Sequence, residues 1–267
     1  MSVEASIDPA TLEAKVKDVY KMVALHPEGR YHFELGLPLA ERLGYNADRL
    51  RDLPQAAVES FAGVGFYFEL AALRPGEVVV DLGSGSGMDV FYAANEVGPT
   101  GQVLGIDFTP EQLDRARHLA AAGGFAHTDF LEAHIDLLPV MSDSVDCVIS
   151  NGVFNLAPNK RQVFAEVARV LRPGGRLALA DIVTERPLTE AIVCNVDLWA
   201  SCIGGAALED DYFAALADTG LVVETVRTND YGFLSGRARS ATETYGVKSI
   251  SVLAHKSARP GTTSINH

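Results

Sequence analysis

Val78-Val79-Val80-Asp81-Leu82-Gly83-Ser84-Gly85-Ser86-Gly87 joins a run of three valines to a turn with glycine at every second position. The apolar run reads as a buried strand. The glycines read as a tight strand-to-helix turn, where a Cβ would block either the backbone conformation or the close approach of a ligand. Downstream, Val90, Phe91, Ala94 and Val97 recur at helical spacing until Gly98-Pro99 ends the helix. A strand, a glycine turn and an amphipathic helix are the first half of a βαβ unit, whose right-handed crossover calls for a parallel sheet.

Further β-like runs follow at 102–107, 128–131, 145–150 and 176–182, separated by helical segments. Thr109, Pro110 and Gln112 form a capping-box start with proline at the first helical position, and Gly123-Gly124 ends that helix. In 160–171, Val163, Phe164, Val167, Val170 and Leu171 fall on one side, and Pro173-Gly174-Gly175 stops the helix. Two later runs, 221–228 and 247–255, with a polar, glycine-containing connection between them, complete the set. The expected fold is α/β, a doubly wound, mostly parallel seven-stranded sheet. Residues 1–73 read as a helical N-terminal cap, amphipathic over 11–25 and helical again over 55–73. Residues 74–256 read as the sheet domain, with a cap insert at 187–205 carrying the single tryptophan, Trp199. Residues 257–267, rich in Ser, Thr, Gly and Pro, read as a disordered tail.

With 267 residues, 48% of them hydrophobic, the chain can build a large core. Lys plus Arg number 22 against 35 Asp plus Glu, a net charge of -13 that disfavours nucleic acid and anionic membranes as partners. Cys147, Cys194 and Cys202 show no disulfide spacing, the start of the chain lacks the basic and apolar regions of a signal peptide, and no apolar run nears the roughly 20 residues of a membrane span. A cytoplasmic protein with no metal site is expected; of assemblies, a homodimer stays open.

The chemistry lies at the strand ends. The spacing G-x-G-x-G over Gly83, Gly85 and Gly87 differs from the G-x-G-x-x-G of dinucleotide folds, which disfavours a nicotinamide oxidoreductase. Asp81, just before Ser84 and the turn, is awkward for a pyrophosphate and suited to an ammonium group. Asp107, twenty residues past Gly87, ends the second strand, where a carboxylate accepts bonds from both ribose hydroxyls. Phe108 can cover an adenine face, with Thr109 beside it as the helix cap. Ile135 and Asp136 are placed for the adenine edge, and Asn151 for the far end of the ligand. Together these residues lay a nucleoside bearing an ammonium, such as S-adenosylmethionine, across the crevice of a doubly wound sheet.

Leu73-Arg74-Pro75-Gly76-Glu77, the glycine turn with Met88-Asp89, Val97-Gly98-Pro99 and Gly105-Ile106-Asp107-Phe108-Thr109-Pro110 resemble class I S-adenosylmethionine-dependent methyltransferases, and the arsenite methyltransferase group in particular. The likeness continues through Ile149-Ser150-Asn151-Gly152-Val153-Phe154-Asn155-Leu156, Arg169 to Arg176, and Cys202-Ile203-Gly204-Gly205-Ala206. It implies a methyltransferase that uses S-adenosylmethionine. In the arsenite enzymes three cysteines hold trivalent arsenic, at positions that here are Gly152, Cys202 and, in the cap, about Val64. Soft As(III) needs two or three thiolates, and one cysteine cannot chelate it. Cys194, eight residues from Cys202, would point to roughly the opposite side of a continuous helix.

The expected function is therefore SN2 methyl transfer to a small-molecule carbon, oxygen, nitrogen or sulfur acceptor. An arsenite methyltransferase and a non-catalytic S-adenosylmethionine-binding protein are the alternatives. The resemblance places Tyr20 over the cofactor, and an aromatic face suits a sulfonium. Tyr20 and His26 are the candidates for alignment or proton abstraction, with His32 and His134 also near the expected pocket. Gly152, Val153, Trp199 and Cys202 are expected to line the acceptor pocket. Phe66-Tyr67 would add aromatic wall, and Arg237 and Arg239 could meet an anionic substrate.

Overall fold

The computed structural model describes residues 8–200, 202–234 and 236–257. The tail expected from residue 257 lies, apart from Ser257, outside them. Five helices precede the sheet: α1 (Pro9–Leu25), α2 (Gly36–Leu43), α3 (Ala47–Arg51), α4 (Gln55–Glu59) and α5 (Phe68–Ala71). There follow β1 (Val78–Leu82), α6 (Met88–Val97), β2 (Gln102–Asp107), α7 (Pro110–Gly123), β3 (Thr128–Glu132) and β4 (Val145–Asn151). Then come α8 (Lys160–Val170), β5 (Leu171–Thr184), α9 (Glu190–Val193), α10 (Val196–Ala200), β6 (Ala207–Leu208), α11 (Glu209–Asp218), β7 (Leu221–Thr228), α12 (Gly236–Tyr245) and β8 (Lys248–Lys256).

The strand order is β3-β2-β1-β4-β5-β8-β7, with the short β6 against β5, and only β8 runs antiparallel to its neighbours. The chain winds from β1 outward through β2 and β3, then returns to β4 on the other side of β1. This reversal opens a crevice at the carboxyl ends of β1 and β4, where doubly wound sheets take ligands. Successive β1 residues serve opposite layers, as the pleat requires. Val79 joins Phe91, Ala94 and Ile149 on one face, while Val80 and Leu82 join Phe164, Leu177 and Leu216 on the other. α1 crosses to α7 and α10 through a small cluster of Leu12, Val16, Trp199 and Ala200.

Four sequence expectations change. The helix expected over 55–73 breaks into α4 and α5, because the segment between them, with Gly63 and Gly65, turns inward to the crevice. The polar connection before the last strand contains α12. β5 begins at Leu171, so Pro173-Gly174-Gly175 lies inside a strand rather than ending a helix there. Cys194 caps the four-residue α9, so no continuous helix links it to Cys202.

Candidate active site

The turn after β1 takes the expected left-handed conformations, with φ of 72° at Gly83, 52° at Gly85 and 92° at Gly87. The amides of Gly83 and Ser84 both donate to the carbonyl of Ile106, at 2.7 and 3.0 Å, which docks the turn onto the end of β2. A Cβ on Gly83 would lie 2.1 Å from Val153 Cγ2, so the close approach of the two loops requires glycine. Gly87 caps α6 and faces Phe91 and Phe130; it shapes packing and does not line the cleft.

That cleft has about 720 Å³ of empty space, counting the solvent open to its mouth. It brings together Tyr20, Asp81, Gly83, Ser84, Gly85, Asp107, Phe108, Thr109, Asn151, Gly152 and Val153 of the expected residues. Ile135 and Asp136 line an adjoining pocket that shares Gly83, Asp107, Phe108 and Val153 with it. There Phe108 stacks on His134 with ring centroids 5.8 Å apart.

Three buried carboxylates meet in the cleft: Asp81, Asp89 and Asp107. Asp107 accepts from the amides of Gly85 (2.9 Å) and Thr109 (2.8 Å). Asp89 accepts from the hydroxyls of Tyr45 and Tyr67, both at 2.7 Å, and from Asn151 Nδ2 at 3.1 Å. Burial pushes all three carboxyls above the ordinary carboxylate range, and Asp81 furthest, since Asp89 and Asp107 repel its charge as well. Among the described residues no lysine, arginine or histidine lines this cleft. Ser84 Oγ and Thr109 Oγ1 are buried there without a hydrogen-bond partner. Unmatched carboxylates and orphaned hydroxyls fit a polar, cationic ligand.

Gly152 lines the far end of the cleft, and behind it three distant segments meet; Val64 and Cys202 are buried there and do not line the cleft, contrary to the expectation for Cys202. A Cβ on Gly152 would lie 3.2 Å from Val64 Cγ1, and the Cys202 thiol approaches the Gly152 carbonyl at 3.9 Å. Val64, Gly152 and Cys202 thus converge, with sulfur only at Cys202. Asn151 fixes this junction: its Oδ1 accepts from the amides of Val64 (2.7 Å) and Gly65 (3.3 Å). Tyr20 Oη lies 3.8 Å from Cys202 Sγ. Cys202 is buried, takes a left-handed φ of 64°, and its thiol is pushed up to about 12 by desolvation.

Other expected site residues lie elsewhere. His26 caps α1 at the surface, exposed, with Nδ1 3.3 Å from Glu28 Oε1, and does not line the cleft. Trp199 is core: 4% exposed, packed on Leu12 and Val16, with Nε1 donating to the Leu156 carbonyl at 3.1 Å. His32 and His134 are exposed. Phe66 packs among Tyr45, Phe68 and Tyr92, while Tyr67 serves Asp89 from outside the cleft wall. Arg239 donates to the Leu234 carbonyl at the surface, and the side chain of Arg237 lies outside the described residues. Thr109 makes no side-chain cap; Gln112 instead donates to the Tyr20 carbonyl (2.8 Å) and accepts from Ser86 Oγ (2.5 Å), tying α1 to the glycine turn. Sequence reading missed the cluster of Asp89 with Tyr45, the bond by which Tyr67 serves it, the contacts of Gln112 with Tyr20 and Ser86, and the 60–63 segment of the cleft wall. Asp89 beside Met88 at the helix start was their one visible signal.

Residues 73–226 match the methyltransferase-domain family model. The arsenite methyltransferase of Halobacterium salinarum is 42% identical over 191 residues, which cover 72% of this chain and 49% of that protein. That of Homo sapiens is 39% identical over 137 residues, 48% of this chain and 36% of that protein. The chain therefore spans half or less of the length of these curated relatives. Among solved structures, the arsenic(III) S-adenosylmethionine methyltransferase of Chlamydomonas reinhardtii superposes with a TM-score of 0.62 at 27% identity, covering 85% of this chain and 75% of that one. The geranyl diphosphate C-methyltransferase of Streptomyces coelicolor reaches 0.65 at 17% identity, covering 94% and 100%, a likeness of fold alone.

Proposed function

Because this chain belongs to the class I methyltransferase family, whose methyl donor is S-adenosylmethionine, we propose that it transfers that methyl to a small organic acceptor and not to trivalent arsenic. The cofactor supplies a methyl already activated on a sulfonium. In this reading Asp107 accepts the ribose hydroxyls, and Asp81 holds the ammonium, a cation that also relieves the repulsion among the three cleft carboxylates. Phe108, Ile135 and Asp136 take the adenine, the orphaned Ser84 and Thr109 hydroxyls gain partners, and the helices before β1 act as a cap that lays Tyr20 over the sulfonium.

The observation that carries the choice of acceptor is the meeting of Val64, Gly152 and Cys202 with a single sulfur among them. One thiol, held protonated at neutral pH by burial, is a poor ligand for As(III). The aliphatic and aromatic wall in front of it, with Val153, Phe61 and Tyr20, suits an uncharged molecule, and SN2 transfer asks of it chiefly alignment and exclusion of water. An anionic acceptor would meet the carboxylates without a lining cation. The relatives named arsenite methyltransferases favour the second reading, in which Cys202 and thiols brought by the substrate suffice.

Thermal unfolding with S-adenosylhomocysteine tests the cofactor half. A hundredfold excess over Kd adds about 2.7 kcal/mol of stability through linkage. An unchanged Tm at saturating ligand would overturn the assignment.

A further inference from the structure

Below the cleft floor lies a second cluster of charged groups that the methyl-transfer chemistry does not touch. The chain leaving β4 runs through residues 152–157, and Val153 and Leu156 of this segment line the cleft. Asn155, fully buried beneath them, donates from its amide (3.2 Å) and from Nδ2 (2.8 Å) to Asp181 Oδ1 in β5. Asp181 Oδ2 accepts from the Tyr212 hydroxyl on α11 at 3.0 Å. Lys160, the first residue of α8, turns its ammonium inward to donate to the carbonyls of Asn155 (3.3 Å) and Ala157 (3.1 Å). The same ammonium sits 5.8 Å from the centre of the Trp199 ring. Trp199 Nε1 donates to Leu156, and its carbonyl accepts from the Cys202 amide at 2.9 Å. One chain of contacts therefore runs from Asp181 and Lys160, through the cleft floor and Trp199, to Cys202.

Resting on the methyltransferase reading of the cleft, we propose that Lys160, Asn155, Asp181 and Tyr212 form a charged positioning network that sets residues 152–157 and the Cys202 loop in register for ligand binding. Packing alone does not call for these charges. A cation at a helix N-terminus opposes the helix dipole, and apolar residues of similar volume often replace a buried ion pair without loss of stability. Bonds from fixed charges to the backbone of Asn155 and Ala157, by contrast, select one position of the floor. Asn155 Oδ1 is buried without a partner, so this register is held by the charges at the cost of an unmade bond.

The network has a limited pH window. Burial pushes the Asp181 carboxyl up to about 6, against the bonds and the Lys160 charge that favour its ionised form. Burial likewise pushes Lys160 down to about 8, with Asp181 opposing. Both charges coexist only between these values. The other titratable groups facing them, Tyr212 from α11 and Cys202 from the loop after α10, are held neutral through that range.

Trp199 is the only tryptophan, so intrinsic fluorescence of the full chain reads the Lys160 proton directly. The wild-type emission should titrate with a midpoint near pH 8. Its affinity for S-adenosylhomocysteine should be greatest between pH 6 and 8 and fall about threefold to tenfold on either side, the usual range for coupled buried groups. Lys160→Arg should keep the neutral-pH affinity within about twofold and abolish the titration, since guanidinium stays charged. Lys160→Met/Asp181→Asn, which leaves neither charge uncompensated, should fold, lose the titration and show the weakened affinity at every pH. A wild-type emission that does not titrate near pH 8, or a folded double variant with wild-type affinity and pH profile, overturns the proposal. If the double variant does not fold, the Lys160→Arg profile decides. If the wild type binds no S-adenosylhomocysteine, the cofactor reading falls, and the Trp199 titration still decides on the network.

Discussion

The two ends of the cleft are built by different rules. At the cofactor end, Asp81, the glycine turn and Asp107 each lie at the carboxyl end of a strand, and β1 and β2 pair in register from Val78 with Gln102 to Leu82 with Ile106. The sheet fixes these positions, so local sequence determines them. At the proposed acceptor end, Val64, Gly152 and Cys202 come from a loop before the sheet, the turn after β4 and the loop after α10, joined by side-chain bonds from Asn151, Ser249 and Cys202 itself and by van der Waals contact. In the proposed reading the acceptor changes while the cofactor is kept, and the missing sulfur at Val64 and Gly152 marks that change.

The sharpest way to break that contrast is to restore the thiols. Val64→Cys/Gly152→Cys should turn a protein with no measurable As(III) uptake into one that binds one arsenic per chain, by calorimetry under reducing conditions. The side chain at 152 would adopt a φ of 73°, a strain of roughly 1–2 kcal/mol, and replacing Val64 removes the Cγ1 that a Cβ at 152 would meet. At the other end, Asp107→Ala removes the acceptor of the Gly85 and Thr109 amides and of the proposed ribose bonds. Two charge-assisted bonds at about 1.5–3 kcal/mol each correspond to a loss of S-adenosylhomocysteine affinity of about a hundredfold or more. An unchanged affinity would remove Asp107 from the site.

A subtler effect separates Asp81 from its neighbours. With no ligand bound, burial and the nearby carboxylates keep the Asp81 carboxyl protonated above the ordinary carboxylate range. An ammonium beside it favours the ionised form, so binding releases a proton. Onto the pH profile set by Lys160 and Asp181 this adds a rise of S-adenosylhomocysteine affinity with pH, by up to about tenfold per unit, that ends once the pH passes the raised value. Asp81→Asn should flatten this slope in a pH series of calorimetric titrations; a slope that persists assigns it to another group. The smallest effect is expected at Tyr20→Phe, which keeps the aromatic face and loses only the contact with Cys202 Sγ. Its affinity should stay within about threefold of wild type, since such weak bonds contribute about 0.5 kcal/mol.

The same contrast explains what the sequence could disclose. The bounds of β1 and β2 were readable to the residue, because the valine run, the glycine spacing and Asp107 are local signals. Asp89 was not, because the groups that define it, Tyr45 and Tyr67, are 44 and 22 residues away and meet it only through tertiary packing. Gln112 has the spacing of a capping box, yet Tyr20 and Ser86 compete successfully for its side chain once α1 docks on α7. His26 follows Tyr20 closely in sequence, but α1 ends there, and the imidazole faces solvent beyond the last turn. Trp199 looked like pocket wall and is instead the anchor of α1 and of the cleft floor. The segment between α4 and α5 looked helical; inward-facing Gly63 and the bonds from Asn151 to Val64 and Gly65 account for its extended path.

The central claim, a retained cofactor end and a reassigned acceptor end, is tested most directly by incubating the full chain with S-adenosylmethionine, arsenite and a thiol reductant and measuring methylated arsenic. No methylarsenic above the protein-free control is expected from a protein that Tm shifts show to be loaded with cofactor. Sustained methylarsenic production would contradict it, and would mean that Cys202 alone, with thiols brought by the substrate, suffices to hold the metalloid.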